Sequence, residues 1–361
     1  MSTHKPVRKG IRIFLILFIT LIGGILLAAA GLVWAVMHFN TAPDTPPLAR
    51  GNFAGARLES ADTVIFEVRE GETASAVGRR LEQAGLIRSR LYWDLLSRYE
   101  KDFLKTGTYR LPVPSTQTEI RALLVEGKQI LLRITIPEGV TLKKAAAIFG
   151  QSGICSAEDF LEAAMNPAIV KSYNIPGKTM EGYLYPETYF FPGSYPAEKV
   201  IRNMADTFFD KIREISGESG EINPEEINNA VILASIVERE YRVAEEAPVM
   251  AGVFLNRLKI NMKLESCATV QYIITEIQGK KHPYVLYFED IEIKDPYNTY
   301  INPGLPPGPI CIPGKVALHA VFHPAETDYL FFRLIDERAG RHYFSKTHDA
   351  HIRAGALFVK G

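Results

Sequence analysis

From Ile13 to Met37 the chain carries no charged residue and is apolar almost throughout. About 25 residues at about 1.5 Å each span the roughly 30 Å hydrocarbon core of a bilayer, so 13–37 is predicted as one transmembrane helix. The pattern then breaks at Thr41–Leu48, a proline-rich stretch expected to stay unpacked inside a linker covering 38–62. Beyond it, Val64-Ile65-Phe66-Glu67-Val68 alternates with the period of a strand, and Glu70-Gly71-Glu72-Thr73 supplies a turn and a helix-capping threonine. An amphipathic run to Leu81 follows, closed by Ala84-Gly85-Leu86. The same order returns sixty-eight positions later (Glu138 against Glu70), from Leu132-Arg133-Ile134-Thr135-Ile136 through Glu138-Gly139-Val140-Thr141 to Phe149 and Ser152-Gly153-Ile154.

A strand at Gly107–Leu111 and a helix at Gln117–Glu126 complete the first copy. The predicted fold class is therefore α+β. It has a tail at 1–12, the transmembrane helix, a linker, a small module at 63–130 and a larger region at 131–361. That region contains a second strand–helix module with an aromatic segment (131–200) and a segment carrying the chemistry (201–361). The first module reads either as a stable packing unit or as a carbohydrate-binding module resembling LysM domains.

Charge decides the direction of the anchor. Lys5, Arg8, Lys9 and Arg12 precede the apolar run, so the short tail is expected in the cytoplasm and the rest outside it. Ala28-Ala29-Ala30 would suit a cleaved signal peptide, but the apolar run continues past it through Leu32, Val33, Trp34 and Val36, which favours an uncleaved anchor. Lys+Arg and Asp+Glu are both 41, and this balance argues against a nucleic-acid partner, which calls for a cationic excess. Three cysteines (Cys155, Cys267, Cys311) form no disulfide framework, and the eight histidines show no ligand spacing, so neither metal nor cofactor is expected.

Two segments offer chemistry. Met180–Pro192 sets three tyrosines and two phenylalanines around two carboxylates, suited to stacking on sugar rings or equally to a core seam. Asn228–Arg242 reads as a helix, almost wholly apolar from Ala230 to Val237, and Glu238 follows on the face of Val231 and Ala234. A carboxylate there, with no cation on its face, has its charged form disfavoured and its pKa raised, as a general acid near neutral pH requires. The competing reading makes Glu238 the first polar residue of a buried helix reaching the surface, where Glu240, Glu245 and Glu246 are also expected. Downstream, amide and hydroxyl side chains in polar, irregular loops, among them Ser266 and Thr269, are placed to bind sugar hydroxyls and N-acetyl groups. Asn302–Ile310, with four prolines and two glycines, predicts a rigid loop.

In order along the chain stand ASIVERE with Glu238, VFLNRL at Val253–Leu258, LES…TVQY at Leu264–Tyr272, YNTY…GLPPGPI…PG at Tyr297–Gly314, and the closing Tyr343-Phe344-Ser345…His348…His351. Together with EGYLYPETY and the anchor they resemble the endolytic murein transglycosylase, or YceG-like, family over nearly the whole chain beyond the linker. The resemblance implies a single-pass inner-membrane enzyme that cuts nascent peptidoglycan strands internally, with a LysM-like module beside an α+β catalytic domain. It places the catalytic glutamate on Glu238 and polar cleft positions on Gln271, Asn298 and Tyr300. It also implies no cofactor, glycan strands and the membrane as partners, and peptidoglycan synthases as further candidates. The chain departs from the family at Cys267-Ala268, where relatives commonly have Asp-Pro. The residues also leave open a muramidase, with Glu265 or Asp295 as second acid, and a non-catalytic scaffold that binds glycan.

Overall fold

The computed structural model describes residues 7–43, 56–60, 62–100, 102–217, 223–283 and 285–360, and the chain divides into two compact units, Met1–Leu131 and Leu132–Gly361. The first opens with α1 (Val7–Phe39), whose stretch Phe14–Phe39 is unburied and long and apolar enough to cross a membrane. Residues 1–6 of the expected tail lie outside the described residues.

The rest of the first unit is β1 (Ala56–Ser60), β2 (Thr63–Val68), α2 (Ala74–Gln83), α3 (Arg90–Glu100), β3 (Gly107–Pro112) and α4 (Gln117–Glu126). The three strands form one antiparallel sheet with β2 central, Phe66 opposite Tyr109 and Val64 opposite Leu111. Period-two alternation turns Val64, Phe66, Val68, Tyr109 and Leu111 inward against Val77, Leu81, Trp93, Ile120 and Leu124. Each large side chain so buried contributes about 1.5–3 kcal/mol. Thr116 and Glu119 cap α4 reciprocally, which fixes its start where the sequence places it.

The stretch expected as linker departs from that expectation at both ends. Gln117 Nε2 donates to the Phe39 carbonyl (2.8 Å), Asn40 Nδ2 to Thr118 Oγ1 (3.1 Å) and Arg88 Nε to the Ala42 carbonyl (2.9 Å). The chain leaving α1 is therefore fastened to the unit, with Gln117 and Arg88 satisfying backbone carbonyls that would otherwise need water. At the other end β1 falls inside 38–62 and pairs with β2. Residues 44–48 of the proline-rich stretch lie outside the described residues.

The second unit runs β4 (Leu131–Thr135), α5 (Leu142–Ser152), α6 (Ala157–Ala164), α7 (Pro167–Ser172), β5 (Thr188–Pro192), α8 (Ala197–Ser216), α9 (Pro224–Glu240), α10 (Ala247–Lys259), α11 (Cys267–Tyr272), α12 (Phe288–Ile291), α13 (Lys315–Phe322), β6 (Phe331–Asp336), β7 (Arg341–Ser345) and α14 (His348–Arg353). β4 pairs with β5, and β6 with β7 as an antiparallel hairpin. The repeat is real locally. Gly71 and Gly139 both turn at φ 72°, a conformation glycine adopts without steric cost, and Thr73 and Thr141 both cap the helix that follows. The copies diverge in pairing, since β2 is the middle of three strands and β4 has a single partner from far along the chain.

Of the two readings of the aromatic segment, the core seam is the observed one. Tyr183, Tyr185, Tyr189 and Phe191 are buried, and only Phe190 among the large aromatics here is fully exposed. Their hydroxyls are used internally, Tyr183 donating to Asn228 Oδ1 and Tyr189 to the Tyr185 carbonyl, each at 2.7 Å.

Glu181, in the same segment, is buried and accepts the Leu142 N–H at the start of α5 through both oxygens (2.9 and 3.1 Å). Burial nevertheless pushes its pKa up to about 8. The folded chain thus keeps this proton in a range where the unfolded chain, ionising near 4.5, has lost it. Stability from this group is full below about pH 4.5 and falls as pH rises to about 8. Glu181→Gln should flatten that decline, read as melting temperature at pH 6 and pH 9; equal slopes in both proteins would refute the assignment.

Candidate active site

α9 begins at an Asn223 cap followed by Pro224 in the first turn, and everything from Val231 to Val237 is buried. Its core face packs against α10, α11 and α13. Glu238 is the first side chain after this run to reach partial exposure, as the apolar pattern predicts.

Two segments converge on it. Gly314, the residue that opens α13, donates its N–H to Glu238 Oε2 at 2.9 Å. The Glu138-Gly139 turn lies alongside: a Cβ on Gly139 would stand 3.7 Å from Glu238 Cγ, and Arg239 Nη1 donates to the Gly139 carbonyl at 3.1 Å. The two approaching segments are themselves paired, Gly139 N–H to the Ile312 carbonyl and Ile312 N–H to the Val140 carbonyl, both 2.8 Å. Buried Ser235 secures the proline-rich loop to α9, accepting the Ile310 N–H at 3.0 Å.

Burial pushes the Glu238 pKa up to about 7, opposed by the Gly314 N–H and helped by the negative charge of Glu138. At neutral pH this carboxyl is therefore present in both forms, which suits a group that first gives and then takes a proton. Glu138 is the functional neighbour that sequence patterning misses. Its signal was the second copy of the Glu-Gly turn, but contact across a hundred positions is not written in local periodicity. Glu138→Gln should lower the pKa of Glu238 and move the alkaline limb of its pH–activity profile to lower pH. A limb that stays in place, or moves to higher pH, would remove Glu138 from this role.

The other expected site residues divide by placement. Gln271 is partly exposed and lines a small pocket with Arg239, Thr141 and Lys144. Tyr300 lines a larger cleft with Arg239 and Glu240, its hydroxyl 3.1 Å from Cys267 Sγ. Asn298, Thr269 and Ser266 differ from the expectation of sugar-facing groups, since all three are buried. Asn298 Nδ2 donates to the Ile291 and Ile293 carbonyls (2.9 and 2.8 Å), and its Oδ1 accepts the Tyr300 N–H at 2.9 Å. Thr269 Oγ1 donates to the Ser266 carbonyl (2.8 Å), and Ser266 Oγ donates to Glu240. Their polar groups are taken up by loop backbone and neighbouring side chains, so they hold the wall that carries Tyr300.

Glu240 and Glu246, expected at the surface, are also corrected. Glu240 has its pKa raised by burial, and accepts from Ser266 and the Ala268 N–H. Glu246 is buried against His342, whose Nδ1 lies 2.8 Å away. Ala268, which a proline could not match for want of an N–H, donates to Glu240 and adds a tie to this wall. Glu265 pairs with Arg257 (3.3 Å) and Asp295 accepts the Tyr297 N–H (2.8 Å), which engages both candidates for a second acid in local structure. Among the described residues there is no cluster of side chains able to hold a metal ion.

Comparison with known proteins gives the chain its family. An endolytic murein transglycosylase of Streptococcus pneumoniae strain R6 is 30% identical over 327 residues, 82% of this chain. The chain spans 58% of the length of that relative. A Bacillus subtilis protein with the same description is 29% identical over 321 residues, covering 83% of this chain and 86% of its own. A crystal structure of a YceG-like protein from Listeria monocytogenes superposes with a TM-score of 0.53 at 30% identity, over 81% of this chain and 99% of that one. The YceG-like family matches residues 66–356, and the chain belongs to it.

Proposed function

We propose that the chain is an endolytic lytic transglycosylase that cleaves the β-1,4 bond between N-acetylmuramic acid and N-acetylglucosamine in nascent peptidoglycan. The observation that carries this reading is Glu238, a carboxyl held near neutrality by burial where three segments meet. Protonated Glu238 donates to the glycosidic oxygen, and the leaving sugar departs with that proton. Glu238, now a carboxylate, removes the proton from the muramoyl 6-hydroxyl, whose oxygen closes onto C1 as a 1,6-anhydro ring. The sugar supplies the nucleophile, so one acid/base group suffices, unlike the two-carboxylate arrangement of ordinary glycosidases.

On this reading α1 is a single-pass anchor in the inner membrane with its N-terminus cytoplasmic, and both units work outside the cytoplasm on strands as they are made. The first unit, with its strand–helix–helix–strand order from β2 to β3, is read as a LysM-like glycan-binding module. Gln271 and Tyr300 face the sugar. Asn298, Thr269 and Ser266 support it from behind. Peptidoglycan synthases are the expected neighbours of such an enzyme.

The test is mass spectrometry of strands digested by the full-length protein. Products ending in 1,6-anhydro-N-acetylmuramic acid are expected. Reducing ends would replace this reading with hydrolysis, and intact strands would overturn catalysis.

A further inference from the structure

The last residues of α9 after Glu238 run along a cleft of about 540 Å³, lined by Arg239, Glu240 and Arg242 and completed by β6, β7 and α14. Its charge is lopsided. Four arginines line it, Arg239, Arg242, Arg257 and Arg333, against two carboxylates, Glu240 and Glu265. Both carboxylates are engaged, Glu240 by Ser266 and Ala268, Glu265 by Arg257. Two of the arginines are also fixed. Arg257 donates to the Leu264 and Leu330 carbonyls (2.8 and 2.6 Å), and Arg239 to that of Gly139.

Arg242 and Arg333 remain. Both are exposed, and neither has a hydrogen-bonded or ion-paired partner among the described residues. A third unmatched group shares the cleft: His351 Nδ1 is buried and has no hydrogen-bond partner there. Burial, with nearby positive charge, holds that imidazole toward its neutral form, so it adds a hydrogen-bonding edge rather than further charge. Unmatched guanidinium groups around a concave, partly desolvated space bind planar anions well, since each fork meets a carboxylate with two parallel hydrogen bonds.

We propose that this cleft binds carboxylates of the peptide stems that peptidoglycan strands carry. The inference rests on the transglycosylase reading above and names the part of the substrate that the site takes beside the sugars. Sugar hydroxyls and N-acetyl groups are neutral, so they give the two unmatched arginines nothing to neutralise. The stems are anionic, and they hang from the lactyl ether of the muramoyl residue, the sugar whose C1 bond is cut. The cleft starts at the residue next to the acid, so a stem on the sugar held at Glu238 enters it directly. Its volume lies within the roughly 300–1,000 Å³ of ordinary ligand sites and has room for a short peptide.

The experiment compares full-length wild type with Arg242→Ala/Arg333→Ala on two preparations of one strand population, one peptide-bearing and one stripped of stems by an amidase. KM for peptide-bearing strands should rise about tenfold in the variant, the scale of lost charge-assisted hydrogen bonds, with kcat and KM for stripped strands unchanged. Equal losses on both preparations, or none on either, would overturn the proposal. So would a loss that follows a terminal lipid-linked diphosphate instead of the stems. Binding of labelled peptide-bearing strands, measured in a Glu238→Gln background with and without the arginine changes, reads the cleft independently of turnover. If wild type cuts nothing, the catalytic reading fails alone, and the binding comparison still decides the cleft.

Discussion

Replacing Glu238 by glutamine should reduce strand cleavage by at least about 10²–10⁴-fold, the usual contribution of a positioned general acid/base. Glutamine keeps the size of the side chain, and its carbonyl oxygen can still accept the Gly314 N–H, so the pocket should keep its shape. What is lost is the proton. The variant should be folded and no less stable than wild type at neutral pH, because it removes a carboxyl whose ionised form is penalised by burial. Above pH 7 it should be more stable. The folded wild type holds the proton up to about 7 while the unfolded chain ionises near 4.5, so wild-type stability declines across that window and the variant lacks this decline. Product analysis by mass spectrometry together with melting curves at pH 6 and pH 8 checks both halves. A variant that still produces anhydro ends at the wild-type rate would remove Glu238 from catalysis.

The second large effect is structural. Gly182→Ala should destabilise the second unit by about 2–4 kcal/mol, combining a left-handed conformation on a residue with a Cβ and overpacking of a filled site. Gly182 has φ 82°, and a Cβ there would overlap the Pro309 ring and stand 3.1 Å from Val231 Cγ1. Relief is not at hand, because Pro309 belongs to the loop secured to α9 by Ser235, and Val231 is on α9 itself. The aromatic segment, the proline-rich loop and the helix carrying Glu238 therefore meet at one hydrogen atom. Denaturant unfolding monitored by tyrosine and tryptophan fluorescence measures the change. A loss below about 0.5 kcal/mol, the range of ordinary surface substitutions, would show that the joint is looser than its geometry indicates.

What was readable in the sequence was local. The limits of α4 follow from Thr116 and Gly127 at its ends, and α9 from an apolar run with a proline at its start. The elevated pKa of Glu238 followed from the same run, since burial of the helix is also the leading cause of the shift. Contacts between distant segments were not readable. Glu138 and the Gly314 N–H reach Glu238 only because two backbone pairs tie the Glu-Gly turn to the segment before α13. Asn298, Thr269 and Ser266 illustrate the opposite error. A polar residue in a polar, irregular stretch reads as exposed, but backbone that turns inward must find partners, and these side chains are among the partners. The same holds for Glu240 and Glu246, whose polar neighbours come from other parts of the chain.

The bonds from Gln117, Thr118 and Arg88 to residues 39–42 give the proposed anchor a mechanical role as well as a tethering one. A helix of this length in a bilayer of a different thickness adjusts by tilting. With a free swivel at its outer end, that tilt would be lost within a few residues. Here the swivel is clamped, so the first unit inclines with the helix, and the thickness of the surrounding lipid becomes a setting for the angle at which that unit meets its surroundings.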